Sequence, residues 1–323
     1  MKWMLFLTVI VGFVFSPIAW SQEISHLVQL DSKYSHHVLV VEKSTHSLYL
    51  YQEKLGKTEL LKTYRIATGK FKGSKTSEGD HKTPEGIYHV TSFLSESTLK
   101  ERHGKMASMY GPGAFPLNYP NLYDDRIGKT GSGIWIHSTD DESRIDKGLD
   151  SRGCVVLTPS DLKDLSQYLD LEKTPVIIVQ DIILLKENTF KEHSRSLLST
   201  LETWMKAWQE KDFKTYISQY HEQDFKDSSK GGYQSFKSYK QAVFSRPDKP
   251  SIQFNFLSIL SIGDYAIATM EQDYRSAIIN DVGFKTVYLK KNAQYDWKII
   301  AELWRRVEHK PETAFVPKQR YFP

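Results

Sequence analysis

Cys154 is the only cysteine in a chain of 323 residues, so no intramolecular disulfide can form and the thiol needs another explanation. A thiolate is a strong nucleophile, but near neutral pH it forms only beside a base or in a positive environment. The residues around Cys154 therefore decide whether this thiol performs chemistry.

A histidine and a glycine supply groups that a reactive thiol requires. His137 follows Ile134–Ile136, an apolar run that predicts a buried strand with the imidazole at its end. Gly153 precedes Cys154, so the backbone can approach a substrate carbonyl and its N–H groups can form an oxyanion hole. The alternative is that Cys154 is a small buried hydrophobe heading the strand that continues through Val155.

The order of these residues resembles a known signature. His137, a polar loop and then Ser-Arg-Gly-Cys-Val at residues 151–155 are similar to the motif of the L,D-transpeptidase catalytic domain, the YkuD family. The resemblance implies that Cys154 is the acyl-forming nucleophile and that His137 is its general base. It also implies that Ser151, Gly153 and the Cys154 N–H frame the oxyanion.

Two positions depart from the family pattern. Arg152 stands where the family usually has histidine, and Val156 stands where it usually has Asn or Arg. The guanidinium beside Cys154 either stabilises the thiolate or grips a substrate carboxylate by a bidentate contact. The remaining alternative is a structural ion pair with an acid of the preceding loop. The candidate partners in that loop are Glu142, Asp146 and Asp150.

Further stretches extend the likeness in the family's order, which implies a mainly β catalytic domain over residues 37–182. These stretches are Val38–Tyr51, Tyr64–Gly69, Lys82–Tyr88 and Leu117–Asn121. The polar loop Lys70–Lys82 has no apolar period and is expected to border the site. Thr158 followed by Pro159 has the chemistry of a helix start.

Three residues in the turn-rich stretches are candidates for substrate contact. They are Tyr110, Asn118 and Tyr119, with ordinary packing as the alternative for the tyrosines. The histidines at 81, 89 and 103 do not pair with one another or with carboxylates at zinc-ligand spacing, so we predict no metal and no cofactor. The net charge of +4 is too small to indicate a nucleic-acid partner.

The two ends of the chain have separate roles. Residues 1–21 resemble a secretory signal, with Lys2, an apolar run and small residues before a predicted cleavage after Ser21. The alternative is an uncleaved anchor. Residues 22–36 form a polar arm with apolar residues at near-helical spacing, expected to pack on the catalytic domain. Residues 311–323 form a polar tail, and the mature protein is expected in the periplasm.

Residues 190–310 predict a second domain, consistent with a length suited to about two domains. An amphipathic helix over Ser194–Glu210 and a second over Phe213–Tyr220 precede four strand patterns, which predicts an α+β cone. Segments around Trp204–Trp208 and Asp296–Trp304 resemble the NTF2-like fold, which encloses a pocket. The candidate pocket residues are Tyr216, Tyr220, Tyr239, Tyr274 and Tyr288, with core packing as the alternative.

This domain order resembles the periplasmic L,D-carboxypeptidases that set the shape of curved and helical Gram-negative bacteria. The resemblance implies removal of terminal D-alanine from peptidoglycan tetrapeptide stems through a cysteine acyl-enzyme, leaving tripeptides. A first alternative is an L,D-transpeptidase that forms 3-3 cross-links or attaches a protein to peptidoglycan. A second is an inactive wall-binding protein, against which the intact His137 and Cys154 pair argues.

Overall fold

The computed structural model describes residues 22–54, 57–306, 317 and 320–322. The predicted signal and most of the predicted tail lie outside the described residues. Within the described ranges, no helix is long and apolar enough to cross a membrane.

The described chain alternates short strands and helices in its first part and has long strands in its second. The strands are β1 (Gln22–Ile24), β2 (Leu27–Leu30), β3 (His37–Glu42), β4 (Ser47–Lys54), β5 (Lys57–Arg65), β6 (Thr68–Gly69), β7 (Gly86–His89), β8 (Leu94–Ser95), β9 (Gly113–Pro116), β10 (Trp135–His137), β11 (Leu149–Ser151), β12 (Val155–Val156), β13 (Pro175–Val179), β14 (Leu184–Lys186), β15 (Lys226–Asp227), β16 (Gly231–Gly232), β17 (Ser251–Ile262), β18 (Tyr265–Arg275), β19 (Asn280–Lys291) and β20 (Trp297–Arg306). The helices are α1 (Glu96–His103), a 3-10 helix (Gly104–Tyr110), α2 (Leu122–Arg126), α3 (Ser143–Lys147), α4 (Pro159–Ser166), α5 (Glu187–Glu210), α6 (Phe213–Ser218) and α7 (Tyr233–Phe244).

The first domain is built around a five-stranded sheet of order β5-β4-β3-β13-β7, in which β3 and β13 are parallel. Every residue of β13 is buried, as are five of the six in β3. Leu39 and Val41 face the domain's own core, whereas Val38 and Val40 face the second domain. Burial on both faces explains why these strands are continuous apolar runs rather than alternating ones.

A smaller sheet of order β12-β10-β9-β8 carries the residues that the sequence singled out. The predicted helix after Thr158 is confirmed as α4, because the Thr158 side chain accepts from the Asp161 N–H at 3.1 Å and Pro159 is the first helical residue. The helix buries Leu162 and Leu165 in the first-domain core. It therefore covers the apolar side of the sheet that ends at the candidate site.

The second domain is a curved antiparallel sheet of order β2-β17-β18-β19-β20. Three helices, α5, α6 and α7, bury their apolar residues against one face of it, in a core that includes Leu201, Trp204, Phe236 and Val287. The first helix begins at Glu187, earlier than the predicted Ser194. Two or three helices on a curved sheet are what the sequence predicted.

The N-terminal arm corrects an expectation. Its near-helical spacing is not realised, because the arm forms the strands β1 and β2, and β2 joins the second-domain sheet beside β17. Leu27 and Leu30 are buried between the domains, while Val28 packs against the second-domain core. The spacing of the arm's apolar residues alone fitted a helix. The free edge of β17, with apolar residues on both faces of the sheet, stabilises a strand there instead.

Two further contacts fasten the domains together. Tyr123 of α2 stacks on Tyr265 of β18, with ring centroids 4.0 Å apart. Arg126 donates to the carbonyl oxygens of Asp224 and Ile300 at 2.8 and 2.9 Å. Near the C-terminus, Phe322 is buried in the first-domain core, so the chain returns to the first domain after leaving the second.

Candidate active site

Parallel pairing of β10 with β12 brings the histidine and the cysteine into one small sheet. Ile136 is the register partner of Val155, and His137 is the partner of Val156. The Leu157 N–H donates to the His137 carbonyl at 2.9 Å, which continues the pairing. Cys154 therefore immediately precedes the strand that lies beside the strand of His137.

His137 is buried and its ring is held in one orientation. Its Nδ1 lies 2.5 Å from the Ser138 carbonyl oxygen, and the Tyr110 ring meets it edge-on with centroids 5.0 Å apart. A carbonyl only accepts, so Nδ1 carries the proton and Nε2 bears the lone pair. This tautomer gives the imidazole the form that a general base requires.

The electrostatics favour a neutral thiol at Cys154 and a neutral imidazole at His137. Burial lowers the pKa of His137 to about 4, although the bond to Ser138 opposes that change. Burial raises the pKa of the Cys154 thiol to about 11, against a backbone hydrogen bond from Trp135 and the charge of Arg144. The residue is only partly buried by surface area, yet the protein atoms around its sulfur outweigh those charges. A thiol in this state would need a base to take its proton before it could act as a nucleophile.

The turn before Cys154 strongly favours glycine at position 153. Gly153 has φ +127°, and a Cβ there would lie 2.8 Å from the Lys82 carbonyl oxygen and 2.9 Å from Ile134 Cδ1. Ser151 braces the same turn, because its hydroxyl donates to the Cys154 carbonyl at 2.6 Å and accepts from the Gly153 N–H at 3.0 Å. The Gly153 N–H is thus hydrogen-bonded within the turn, and the contribution of Gly153 is to allow the turn's backbone conformation.

Arg144, which the sequence reasoning missed, holds the site's loops together. Its Nε lies 2.5 Å from Asp150 Oδ2, and its Nη1 donates to the Met109 carbonyl and to Thr139 Oγ1, each at 3.2 Å. It thereby links the loop after His137, the 3-10 helix and the segment that enters the cysteine turn. No sequence motif marks this arginine, because its three partners are distant from one another in the chain.

Arg152 is exposed, and the structure narrows its possible roles. The charges that favour the Cys154 thiolate come from Arg144 and Lys75, whereas the Arg152 charge acts on the Tyr110 hydroxyl. Two of the three candidate acids have other partners, since Asp150 pairs with Arg144 and Lys147, and Asp146 pairs with Arg65. Of the three roles considered for Arg152, this geometry favours contact with a substrate carboxylate.

The three predicted substrate contacts are divided among different places. Tyr110 lies against His137, and burial raises the pKa of its hydroxyl. Tyr119 is instead a core residue, 5% exposed, whose hydroxyl donates to the Thr130 carbonyl at 3.1 Å. Asn118 accepts from the His89 N–H at 2.7 Å and lines a cavity between the domains. These contacts do not bring Tyr119 or Asn118 to Cys154, and substrate contact by either residue stays a prediction.

The five tyrosines predicted to line the second-domain pocket also separate. Tyr216 and Tyr220 are buried in the cone, where their hydroxyls lie 2.5 Å apart. Tyr274 lines a small cavity at the edge of that cone with Trp208. Tyr239 is 43% exposed, and Tyr288 lies in the interface with the first domain. Tyr288 is thus not a residue of the cone pocket.

The cone also buries a charged cluster that no sequence pattern indicated. Glu302 accepts from Lys285 Nζ at 2.6 Å and from the Tyr220 hydroxyl. Although burial opposes it, the charges of Lys285 and Lys240 hold the pKa of Glu302 below its usual value. Lys240 is 8% exposed, and its ammonium lies 4.5 Å from the Trp208 ring centroid.

Comparison with known proteins agrees with this arrangement. A family model described as the L,D-transpeptidase catalytic domain (YkuD) matches residues 36–178, and one described as the Cds6 C-terminal NTF2-like domain matches residues 196–303. The fold class predicted from the sequence is therefore confirmed: a mainly β catalytic domain followed by an α+β NTF2-like domain. A search of curated proteins finds no match.

Two solved structures are similar over most of the chain. Bd1075 of Bdellovibrio bacteriovorus has a TM-score of 0.76 and 30% identity, covering 90% of this chain and 100% of that one. The helical cell shape determining protein Pgp2 of Campylobacter jejuni has a TM-score of 0.67 and 29% identity, covering 87% of this chain and 95% of that one. The chain therefore belongs to the L,D-transpeptidase (YkuD) family of peptidoglycan enzymes, in the form that carries a Cds6-type C-terminal NTF2-like domain.

Proposed function

We propose that this protein is an exported, periplasmic L,D-carboxypeptidase that removes the terminal D-alanine from peptidoglycan tetrapeptide stems. The observation that carries the proposal is the buried His137, whose Nδ1 is fixed by the Ser138 carbonyl at 2.5 Å on the strand beside Cys154. That set comprises a nucleophile, a base and an orienting acceptor, which is the minimum for acyl transfer. The likeness to Pgp2, named as a cell shape determinant, supports a role in cell shape.

The reaction proceeds in two acyl-transfer steps. The Cys154 sulfur attacks the carbonyl carbon of the third stem residue while its proton passes to His137 Nε2, and the Cys154 N–H stabilises the oxyanion. The C–N bond then breaks, and D-alanine leaves with the proton from His137. Water attacks the thioester with His137 as base, which releases the tripeptide and restores the thiol.

Arg152 supports hydrolysis of a substrate that ends in a free carboxylate. Its guanidinium is exposed next to the nucleophile, and among the described residues no acidic side chain forms an ion pair with it. A planar guanidinium binds a carboxylate with two parallel hydrogen bonds. We assign it to the terminal carboxylate of the stem, which selects uncross-linked ends over internal peptide bonds.

The second domain is proposed to hold the polymer rather than to perform chemistry. Lys240 is buried beside Trp208 and Tyr216, and no acceptor among the described residues hydrogen-bonds its ammonium. Burial lowers the pKa of Lys240 to about 8, so much of its charge is present at neutral pH. A cation among aromatic rings suits an anionic, partly apolar glycopeptide.

Incubation of the mature protein with purified muropeptides, followed by mass spectrometry, tests the activity. Tripeptides with release of free D-alanine support the carboxypeptidase, and Cys154→Ala is the matched control that should give neither. Dimers with 3-3 links, or a stem joined to a protein, would instead support an L,D-transpeptidase. Binding to sacculi without any product from tetrapeptides would support the inactive wall-binding protein.

A further inference from the structure

A cavity of about 220 Å³ lies between the two domains, and neither His137 nor Cys154 lines it. Its floor is the outer face of the second-domain sheet, which presents Thr269, Phe284 and Thr286. The opposite wall is formed by the edge strand β7 and by the loop that holds Glu172 and Lys173. The cavity is therefore bounded by both domains and is separate from the thiol site.

Opposite charges line this cavity without meeting each other. Arg305 comes from the second domain, and among the described residues it forms no ion pair with Glu172 of the first. His89 Nε2 lies 3.7 Å from a carboxylate oxygen of Glu172, but burial lowers the pKa of that imidazole, which weakens this pair. Arg305 is held over the Phe284 ring at 5.7 Å. Both charged groups thus remain available to a ligand between them.

Neutral groups around the charges would fix a ligand's orientation. Thr269 and Thr286 lie with their Oγ1 atoms 3.2 Å apart on the floor, and Tyr34 stands edge-on to Phe284 with ring centroids 6.0 Å apart. Leu260 and Ile267 add apolar surface to the same floor. A few polar groups on an apolar surface are typical of a small-molecule site.

We propose that this cavity binds a free α-amino acid with a small side chain, its carboxylate at Arg305 and its ammonium at Glu172. Glu172 would repel a ligand that carries only a carboxylate. Arg305 and Lys173 would repel a ligand that carries only an ammonium. A zwitterion satisfies both walls. The cavity volume is below the roughly 300–1,000 Å³ of drug-sized sites, so an amino acid fits and a disaccharide-peptide does not.

Because one charge comes from each domain, the ligand would also bind the domains to each other. Binding should therefore raise the melting temperature of the full chain as well as produce heat. The increase follows from mass action, since a ligand that binds only the folded protein stabilises it. This site is independent of the carboxypeptidase proposal, because none of its groups belongs to the thiol site.

Isothermal titration of the full-length mature protein tests the site, with D-alanine, L-alanine, acetate and ethylamine as probes. We expect at least one alanine enantiomer to bind. Acetate and ethylamine should bind at least about tenfold more weakly than that enantiomer, since each lacks one charge-assisted contact. Arg305→Gln and Glu172→Gln should each weaken alanine binding by about tenfold or more. Arg306→Gln is the matched control, because the neighbouring guanidinium pairs with Asp281 at 2.8 Å and should leave the affinity unchanged.

Three results would overturn the proposal. The first is no alanine binding at a concentration on the order of 10 mM, at which a Kd of ~1 mM gives near saturation. The second is acetate binding as tightly as alanine, which would indicate a plain anion site. The third is alanine binding that Arg305→Gln leaves unchanged, which would place the amino acid elsewhere, including at the thiol. Cys154→Ala should retain the binding.

Discussion

Replacing Gly153 with alanine is the sharpest test of the turn that presents the thiol. A Cβ at this position would lie 2.8 Å from the Lys82 carbonyl oxygen and 2.9 Å from Ile134 Cδ1. The backbone φ of +127° lies in a region that costs a side chain about 1–3 kcal/mol. Overpacking against a carbonyl and a buried isoleucine adds about 1–3 kcal/mol. We expect Gly153→Ala to lower the free energy of unfolding by about 2–6 kcal/mol in all.

Gly128→Ala separates the two contributions. Gly128 also has positive φ, +75°, but a Cβ added at this position would have no other atom within 4 Å, so only the backbone cost of about 1–2 kcal/mol remains. Urea unfolding of both variants gives the two free energies by linear extrapolation. The two backbone costs differ by up to about 1 kcal/mol, so an excess loss in Gly153→Ala beyond that amount measures the collision with Lys82 and Ile134.

Turnover gives a second reading of the same variant. If the chain relaxes by moving the turn, the sulfur of Cys154 is displaced, and a shift of ~1 Å costs about 10²-fold in rate. Gly128→Ala should keep the wild-type rate on soluble muropeptides. A Gly153→Ala protein that is as stable as Gly128→Ala and fully active would refute the close approach of the Lys82 carbonyl to this turn.

Three other changes have definite expected outcomes. First, the buried His37 and His137 each have a pKa of about 4, below the value in the unfolded chain. Their contribution to the free energy of unfolding is therefore fully present above about pH 6.5 and is lost as the pH falls toward 4. Urea unfolding at several pH values should show a loss of about 3 kcal/mol per histidine, and a free energy that does not change with pH would contradict it. Second, Arg144→Lys keeps the charge but loses the contacts to Asp150, Met109 and Thr139, so kcat should fall by about tenfold or more. The pKa of the Cys154 thiol, measured from the alkylation rate against pH, should stay nearly unchanged in this variant. In Arg144→Ala the same thiol pKa should rise. Third, Phe322→Ala removes a ring that is 6% exposed and 5.1 Å from that of Phe93, so it should cost about 3–5 kcal/mol, measured as a lower melting temperature. Arg320→Ala should cost less than about 1 kcal/mol.

The local features of the site were predictable because they lie close together in sequence. An apolar run ending in His137, a glycine before Cys154 and a capping threonine at 158 each act within a few residues, so spacing and residue type carry the information. The same holds for the second-domain strands, whose hairpins are local. The mainly β domain and the cone followed from these patterns together with the family resemblance.

The missed features depend on residues that are distant in the chain. Arg144 works through three separated loops, and the cone cluster joins Lys240 on α7 to Lys285 and Glu302 on two strands. Tyr119 carried the same turn signals as Tyr110, yet only the packing of its ring against Tyr88 determined its role. Periodicity describes one element at a time, so it contains no information on which elements meet.

The interface between the domains changes what a deletion of the second domain would measure. Removing residues 190–323 would uncover Val38, Val40, Ile177 and Val179, which are 0–4% exposed in the full chain. Exposing four such side chains costs about 6–12 kcal/mol at about 1.5–3 kcal/mol each, which is comparable to the whole stability of a typical domain. We therefore expect the truncated chain to unfold without a cooperative transition or to aggregate.

A point change inside the cone is the test that leaves this interface covered. Lys240→Met removes the ammonium beside Trp208 but keeps an apolar stem of similar length, and Glu302 retains its pair with Lys285 at 2.6 Å. If the cone holds the polymer through this cation, the variant should unfold cooperatively and sediment less with purified sacculi than the wild type does. Tyr239→Phe, at an exposed ring outside the buried cluster, is the control that should sediment normally. If Lys240→Met binds sacculi as the wild type does, the cone does not hold the polymer through Lys240. If the truncated chain melts cooperatively near the wild-type temperature, the interface does not stabilise the catalytic domain.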